Sequence, residues 1–481
     1  MKVTLVPTTA DSTPFIAAAE ACRLSSIGYV EKEYFLSGEA NLYEEIGHGR
    51  ANIFYQGAPY TNRILIRSPA DPASFSGNVV LEILNSTAGL DLDRMWVNSW
   101  KYLTRHGDVY VGVTSKGHAL DAMIAYDPKR YAPISWANPL PGRPAPDGAP
   151  ESGPFRFLPQ YEMGLFWDML TDCAKLLLSE DPANPLREYP RRRLFLTGWS
   201  QSASYIARYL RTFYDEARPL FDGYLSAGGG DVPMALNNSE KTLPPFFCDG
   251  LPRGSIMGCA QPLIALNTES ENRVVNWIGD ADEPRCKFRT WQMPGTSHDS
   301  LYNLTDYFDL DGGRMMRKGG MRHEVAFVDG DVMDCPYEVI FHAAFHALFA
   351  WARDGIPAPH APKIETRVAF GDSRDPLGSY LDNAVDLFGN AKGGIRSPAL
   401  DNPTATYVSF GTGADGAVNP MCGRTIPFPP ELLKSLYGSL DRYRALVSQG
   451  ADDMMARGFL LPGDRDDYVA RLVRDAARRG L

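Results

Sequence analysis

The chain has no uninterrupted apolar stretch long enough to cross a bilayer, and its first residues, Met1-Lys2-Val3-Thr4-Leu5-Val6-Pro7, lack the apolar core of a secretion signal. A cytoplasmic location without a membrane span is the expectation. Cysteine is scarce and scattered. The seven residues, Cys22, Cys173, Cys248, Cys259, Cys286, Cys335 and Cys422, show none of the paired short spacings of a zinc knuckle and are too few for a disulfide scaffold. Buried thiols with at most one disulfide are expected. No long basic run is present either, and 48 Lys and Arg against 58 Asp and Glu leave a net charge of −10. No nucleic-acid partner is expected on that ground, because phosphate binding depends on clustered positive charge.

What is there is the composition of a folded soluble protein, 44% hydrophobic and 22% charged over 481 residues, enough for a large core. Three β-rich runs open the chain: Tyr29 to Phe35, Arg63 to Arg67 and Val79 to Leu84. Val79 to Leu84 and Val109 to Val113 are almost continuously apolar, as strands buried on both faces of a mainly parallel sheet are. Between them Met95 to Arg105 reads as a crossover helix. Arg193 to Thr197 is a further buried strand, set between helical patterns at Tyr161 to Leu178 and Ala203 to Ala217. Two more strands are expected at Pro262 to Leu266 and Lys287 to Trp291. Strands alternating with helices specify an α/β sheet, whose chemistry gathers at the carboxyl ends of the strands. Asp127 to Pro159 is rich in Pro and Gly without periodicity and reads as an insertion over that edge, a lid or a plain loop. Beyond Ser300, helices are expected at Val339 to Asp354, Pro430 to Gln449 and Asp464 to Arg479.

The sharpest local signal is Leu196-Thr197-Gly198-Trp199-Ser200-Gln201-Ser202-Ala203, where a buried strand runs into a helix with Gly two residues before Ser. A nucleophile elbow has this form: the nucleophile is held in a strained turn, so the residues two before and two after it must be small. Gly198 meets that demand and Ser202, where a second Gly is usual, meets it in part. A serine hydroxyl needs a histidine to take its proton and a carboxylate to orient that histidine, following in the order Ser, acid, His. The histidines after Ser200 are His298, His323, His342, His346 and His360. His298 stands apart in the turn Pro294-Gly295-Thr296-Ser297-His298-Asp299, directly after a predicted strand, with His323 as the fallback. For the acid, Glu269 and Glu271 compete, both just past the strand that begins near Pro262. The developing oxyanion needs backbone N–H donors, from Gln201 after the nucleophile and from Ser86 or Thr87 in the small-residue loop after Val79 to Leu84. Trp199, with Tyr131, Trp136, Phe155 and Phe157, could line an apolar pocket, although such residues more often fill a core.

Several stretches together resemble the α/β-hydrolase superfamily, and more narrowly a bacterial family described only as "alpha/beta hydrolase domain". They are Tyr29 to Asn41, Tyr60 to Arg67, Gly198 to Ser202, Thr268 to Glu271, Gly295 to His298 and Gly393 to Arg396, joined by Thr404 to Tyr407 and Phe459 to Pro462. The resemblance implies a single α/β-hydrolase domain over 1–481: a mostly parallel central sheet flanked by helices, a lid-like insertion at 117–160, and a C-terminal extension at 300–481 wrapping the core. It also implies that the acid falls nine positions after the proline opening its strand, which from Pro262 is Glu271, with Glu269 as second choice. The implied activity is that of a serine esterase: Ser200 as nucleophile, His298 as base, a small-molecule carboxylic ester as substrate, an acyl-enzyme intermediate, and no metal or organic cofactor. An acyltransferase or peptidase using the same triad, and an inactive hydrolase fold that binds a ligand, are the rival readings.

Overall fold

The computed structural model describes the chain apart from residues 48, 147–148, 150–155, 230–233, 241–257, 274–278, 307–330, 369–380, 413–417 and 420; of 272–273, 305–306, 368, 381 and 418 the backbone alone is described. The described residues form two compact units. The first is Met1–Pro262 with Pro284–Cys286; the second is Leu263–Glu283, 287–306 and the described residues after 330.

In the first unit the strands run β1 (Lys2–Val6), β2 (Tyr29–Gly47), β3 (Arg50–Pro69), β4 (Asn78–Ile83), β5 (Val109–Val113), β6 (Arg193–Trp199) and β7 (Gly223–Ala227), in the spatial order β1-β2-β3-β5-β4-β6-β7. The first three strands and the β3–β5 pair are antiparallel, and β5, β4, β6 and β7 are mutually parallel. Every residue of β4, β5 and β7 is buried, as the continuous apolar runs of β4 and β5 demand. Helices α1 (Arg94–His106), α2 (Gly117–Tyr126), α3 (Phe166–Leu178) and α4 (Gln201–Thr212) make the crossovers.

One charged side chain lies in β4. Glu82 accepts the N–H groups of Met95 (2.9 Å) and Trp96 (3.1 Å) and the hydroxyl of Tyr110 (2.7 Å). Asp93, at the N-terminus of α1, makes no capping bond, so the strand beneath supplies the acceptor for the helix's free amides. Burial, reinforced by the charge of Asp93, pushes the Glu82 carboxyl up to about 8.

Beside it, Arg63 and Arg67, four apart and therefore on one face of β3, are fully buried and repeat one arrangement. Arg63 pairs with Glu33 and Asp91 and donates to the Phe15 carbonyl; Arg67 pairs with Glu31 and Asp93 and donates to the Ile16 carbonyl. Arg130 and Tyr131 complete the coordination of Glu33. Each of these buried charges has an opposite charge within 3.2 Å, which offsets much of the desolvation cost that a lone buried ion would carry.

In the second unit the strand order is β8 (Leu263–Thr268), β10 (Cys286–Met293), β9 (Ala281–Glu283), with β8 and β10 parallel. Helix α5 (Glu338–Asp354) packs on β8. A small sheet of β11 (Asp331–Val332), β12 (Ala405–Val408) and β13 (Arg424–Pro427) follows, then helices α6 (Pro430–Tyr437), α7 (Leu440–Ala456) and α8 (Pro462–Arg478). Where the sequence reads as one helix from Pro430 to Gln449, Gly438 at φ 74° ends α6, and Ser439 starts α7 by accepting the Arg442 N–H. Among the described residues no disulfide joins two cysteines; Cys248 lies outside the described residues.

Candidate active site

In the first unit β6 ends at Trp199, and the chain enters α4 through Ser200 at φ 59°, ψ −118°. A residue with a Cβ avoids this region at a cost of roughly 1–3 kcal/mol, which the surroundings must over-determine. They do so through the Ser200 N–H, which donates to Ala227 of β7 at 2.8 Å, and through its carbonyl, which accepts from Ala203 at 2.9 Å. A Cβ on Gly198 would lie 2.7 Å from Ser202 Cβ and 2.9 Å from the Ser202 carbonyl carbon and oxygen, so glycine is required at that position. On Gly228, at φ 67°, a Cβ would meet the Trp199 ring at 2.9 Å. Ser200 is 4% exposed.

The loop after β4 is tied to this turn. Asn85 donates its side-chain N–H to the Trp199 carbonyl at 2.9 Å and accepts the Thr87 N–H on its side-chain oxygen at 2.9 Å. Asn85 and Leu92 exchange backbone hydrogen bonds, and Asp91 anchors the loop's far end on Arg63 and Thr114. The Thr87 N–H is thus committed, whereas Ser86 is fully buried and its N–H makes no bond among the described residues. Gln201 opens α4, where helix amides are unsatisfied by the helix itself. Ser86 Oγ, Thr87 Oγ1 and Gln201 Nε2 are buried polar atoms with no hydrogen-bond partner among the described residues, an arrangement that suits a ligand or solvent.

In the second unit β8 and β10 are parallel neighbours with Thr268 opposite Met293, so the loops leaving their carboxyl ends emerge side by side. The first carries Glu269, Ser270 and Glu271; the second carries His298. His298 Nδ1 lies 2.7 Å from Glu271 Oε1, and both side chains are buried. The other oxygen of Glu271 accepts the N–H and hydroxyl of Thr268, each at 2.7 Å, which locks the carboxylate. The His298 N–H donates to Ser270 Oγ at 3.2 Å, and Ser270 donates to the Ser409 carbonyl at 3.1 Å. Glu269 points elsewhere and accepts from Gly295 N (2.7 Å), Asn383 Nδ2 (3.1 Å) and Ser409 Oγ (3.3 Å). Of the two carboxylates it is Glu271 that meets the imidazole.

His342 also has a carboxylate, Asp464 at 2.9 Å, but it sits within α5 rather than at a strand end, and His346 and His360 are exposed. His323 and Phe155 lie outside the described residues. Tyr131 is taken up by Glu33 and by the Phe15 N–H, Trp136 is fully buried against Phe166, Trp199 is buried under Gly228, and Phe157 is half-buried. Past the end of β5, burial alone pulls the Lys116 ammonium down to about 7; burial and then Lys116 pull His118 down to about 4. Among the described residues no group of three or more His, Cys, Asp or Glu could hold a metal ion, and no helix is long and apolar enough to cross a membrane.

The sequence singles out Ser200, His298 and the two glutamates. It gives no signal for Asn85, Ser270, Asn383 or Ser409, common polar residues whose partners lie, in Asn383 and Ser409, more than a hundred positions away.

None of the curated proteins matches the chain. Solved structures similar to it include the siderophore hydrolase EstA from Aspergillus nidulans, 15% identical, covering 66% of this chain and 100% of that one with a TM-score of 0.28. Another is an alpha-beta serine hydrolase homologue from Coxiella burnetii, at 13%, 54%, 89% and 0.25 in the same order. A third is the glucuronoyl esterase from Solibacter usitatus, at 11%, 50%, 64% and 0.26. The model of the family described as alpha/beta hydrolase domain matches residues 3–470, nearly the whole chain, with the strained serine turn and the paired strand-end loops inside it, and the chain belongs to that family.

Proposed function

We propose that this protein is a serine esterase that cleaves a small-molecule carboxylic ester through an acyl-enzyme. Family membership supports hydrolysis as the class of reaction. The observation that carries the finer reading is the backbone of Ser200, held at positive φ between a buried strand and a helix as a nucleophile elbow requires. In this reading His298 takes the Ser200 proton as the hydroxyl attacks the ester carbonyl. Glu271 holds the Nδ1–H of His298 and balances the imidazolium that forms. The N–H groups of Gln201 and Ser86 receive the oxyanion, Ser86 being favoured because the Thr87 amide already serves Asn85. His298 then protonates the leaving alcohol, and water, activated by the same histidine, releases the acyl group.

The test is hydrolysis of p-nitrophenyl esters together with labelling by a fluorophosphonate. Ser200→Ala should abolish labelling and lower kcat by about 10⁴-fold or more. Full activity in that variant, with an unlabelled wild type, would remove the assignment. Parallel assays of amide hydrolysis and of acyl transfer to added alcohols separate the esterase from a peptidase or acyltransferase. Glu271→Gln should cost kcat up to about 10⁴-fold, as loss of the orienting charge does in serine triads.

A further inference from the structure

Three consecutive residues after β8 each hold a different point of the loop after β10. Glu271 takes the His298 ring, Ser270 Oγ takes the His298 N–H, and Glu269 takes the N–H of Gly295, the residue at φ 69° that opens the turn. The grip of Glu269 is built rather than incidental. Glu269 is 5% exposed and its carboxylate divides its work, Oε2 receiving Gly295 at 2.7 Å while Oε1 receives Asn383 and Ser409. The Glu269 N–H donates to Thr296 Oγ1 at 3.4 Å, and that hydroxyl in turn donates to the Met293 carbonyl at 2.6 Å. Gly295 packs closely against Leu400, where an added Cβ would lie 2.8 Å from that side chain. Ser409 appears twice, accepting from Ser270 through its carbonyl and donating to Glu269 through its hydroxyl.

We propose that Glu269 is a positioning residue for His298: held by Asn383 and Ser409, its carboxylate fixes the Gly295 amide and through it the turn that presents the imidazole. This rests on the reading of His298 as the general base. It makes two residues far along the chain, Asn383 and Ser409, part of what aims the base. A misplacement of about 1 Å at a reacting group costs about 10²-fold in rate, and this is the currency in which a positioning residue acts.

The experiment compares Glu269→Ala, Glu269→Gln, Asn383→Ala and Glu271→Gln with the wild type in full ester-hydrolysis kinetics, alongside Ser200→Ala. Ser439→Ala, at the N-cap of α7, is the control for a loss of stability alone and should keep wild-type kcat. Glu269→Ala should lower kcat by about 10- to 100-fold with KM within about twofold. Glu269→Gln retains an oxygen for the Gly295 N–H and should recover part of the loss, and Asn383→Ala should fall between it and the wild type. Wild-type kcat in Glu269→Ala and Glu269→Gln, with Ser200→Ala inactive, overturns the proposal and leaves the esterase reading intact. A greater loss in Glu269→Gln than in Glu271→Gln also overturns it, since Glu269 would then be the triad acid itself. Activity surviving in Ser200→Ala removes the reading beneath it. Should Glu269→Ala fail to fold, Glu269→Gln and Asn383→Ala decide by the same criteria.

Discussion

Gly198 is where the elbow is sterically tightest. Its missing side chain faces Ser202 Cβ, carbonyl carbon and oxygen, all within 2.9 Å of where a Cβ would stand, and two of those atoms are main chain that cannot swing aside. Gly198→Ala should therefore push β6 and α4 apart, costing roughly 1–3 kcal/mol as overpacking does and lowering kcat more than KM; thermal melts with steady-state kinetics check both. The same geometry explains how a serine at 202 is accommodated, because the contact that demands smallness is met from the 198 side. The elbow was legible because spacing and residue size encode it. The choice between Glu269 and Glu271 was not legible from residue type, since both leave the same strand end and differ in which way the side chain turns. The proposal of Glu271 draws on its 2.7 Å contact with His298 and the Thr268 hydrogen bonds behind it.

Among the elements, the loop after β4 depends on one amide. Asn85 reaches the Trp199 carbonyl with its NH₂ and the Thr87 N–H with its oxygen, so it ties the loop to the Ser200 turn and occupies the Thr87 amide. Asn85→Asp keeps the acceptor and loses the donor; Asn85→Ala loses both. We expect kcat to fall in the order wild type, Asp, Ala, and equal values in the two variants would show that the tie to Trp199 alone matters. The strands and crossover helices read as apolar runs and 3.6-residue periodicity, which is why β4, β5, β6, β8 and β10 stand where the sequence places them. Others were hidden for definite reasons. β7, Gly-Tyr-Leu-Ser-Ala, is fully buried yet too mixed to resemble a strand. The outer half of the β2–β3 hairpin is half-exposed and interrupted by register shifts near Ala40, Leu42 and Glu45, so its sequence alternates poorly. The division between α6 and α7 turns on Gly438, a single residue within an otherwise helical pattern.

For the whole molecule, buried charge sets how stability responds to pH. Folded Glu82 holds its proton to about 8, whereas the unfolded chain releases it near the ordinary carboxylate value of 4.5. Between those values the unfolded state binds fewer protons than the folded one, so stability falls as pH rises through this window. Asp91, pushed up to about 6 by its burial against the pull of Arg63, acts in the same sense over a narrower range. Glu82→Gln should therefore melt closer to, or above, the wild type at pH 8.5 than at pH 5; an identical gap at both pH values would show that Glu82 does not titrate there. The buried guanidinium pair has a different consequence, for how the chain can be shortened. Arg63 and Arg67 each take one carbonyl from Phe15 and Ile16, so a version starting at residue 20 would carry two internal cations stripped of a ligand apiece. Such a version should be recovered as insoluble material, and anyone trimming the gene for crystallisation would do better to leave that end untouched.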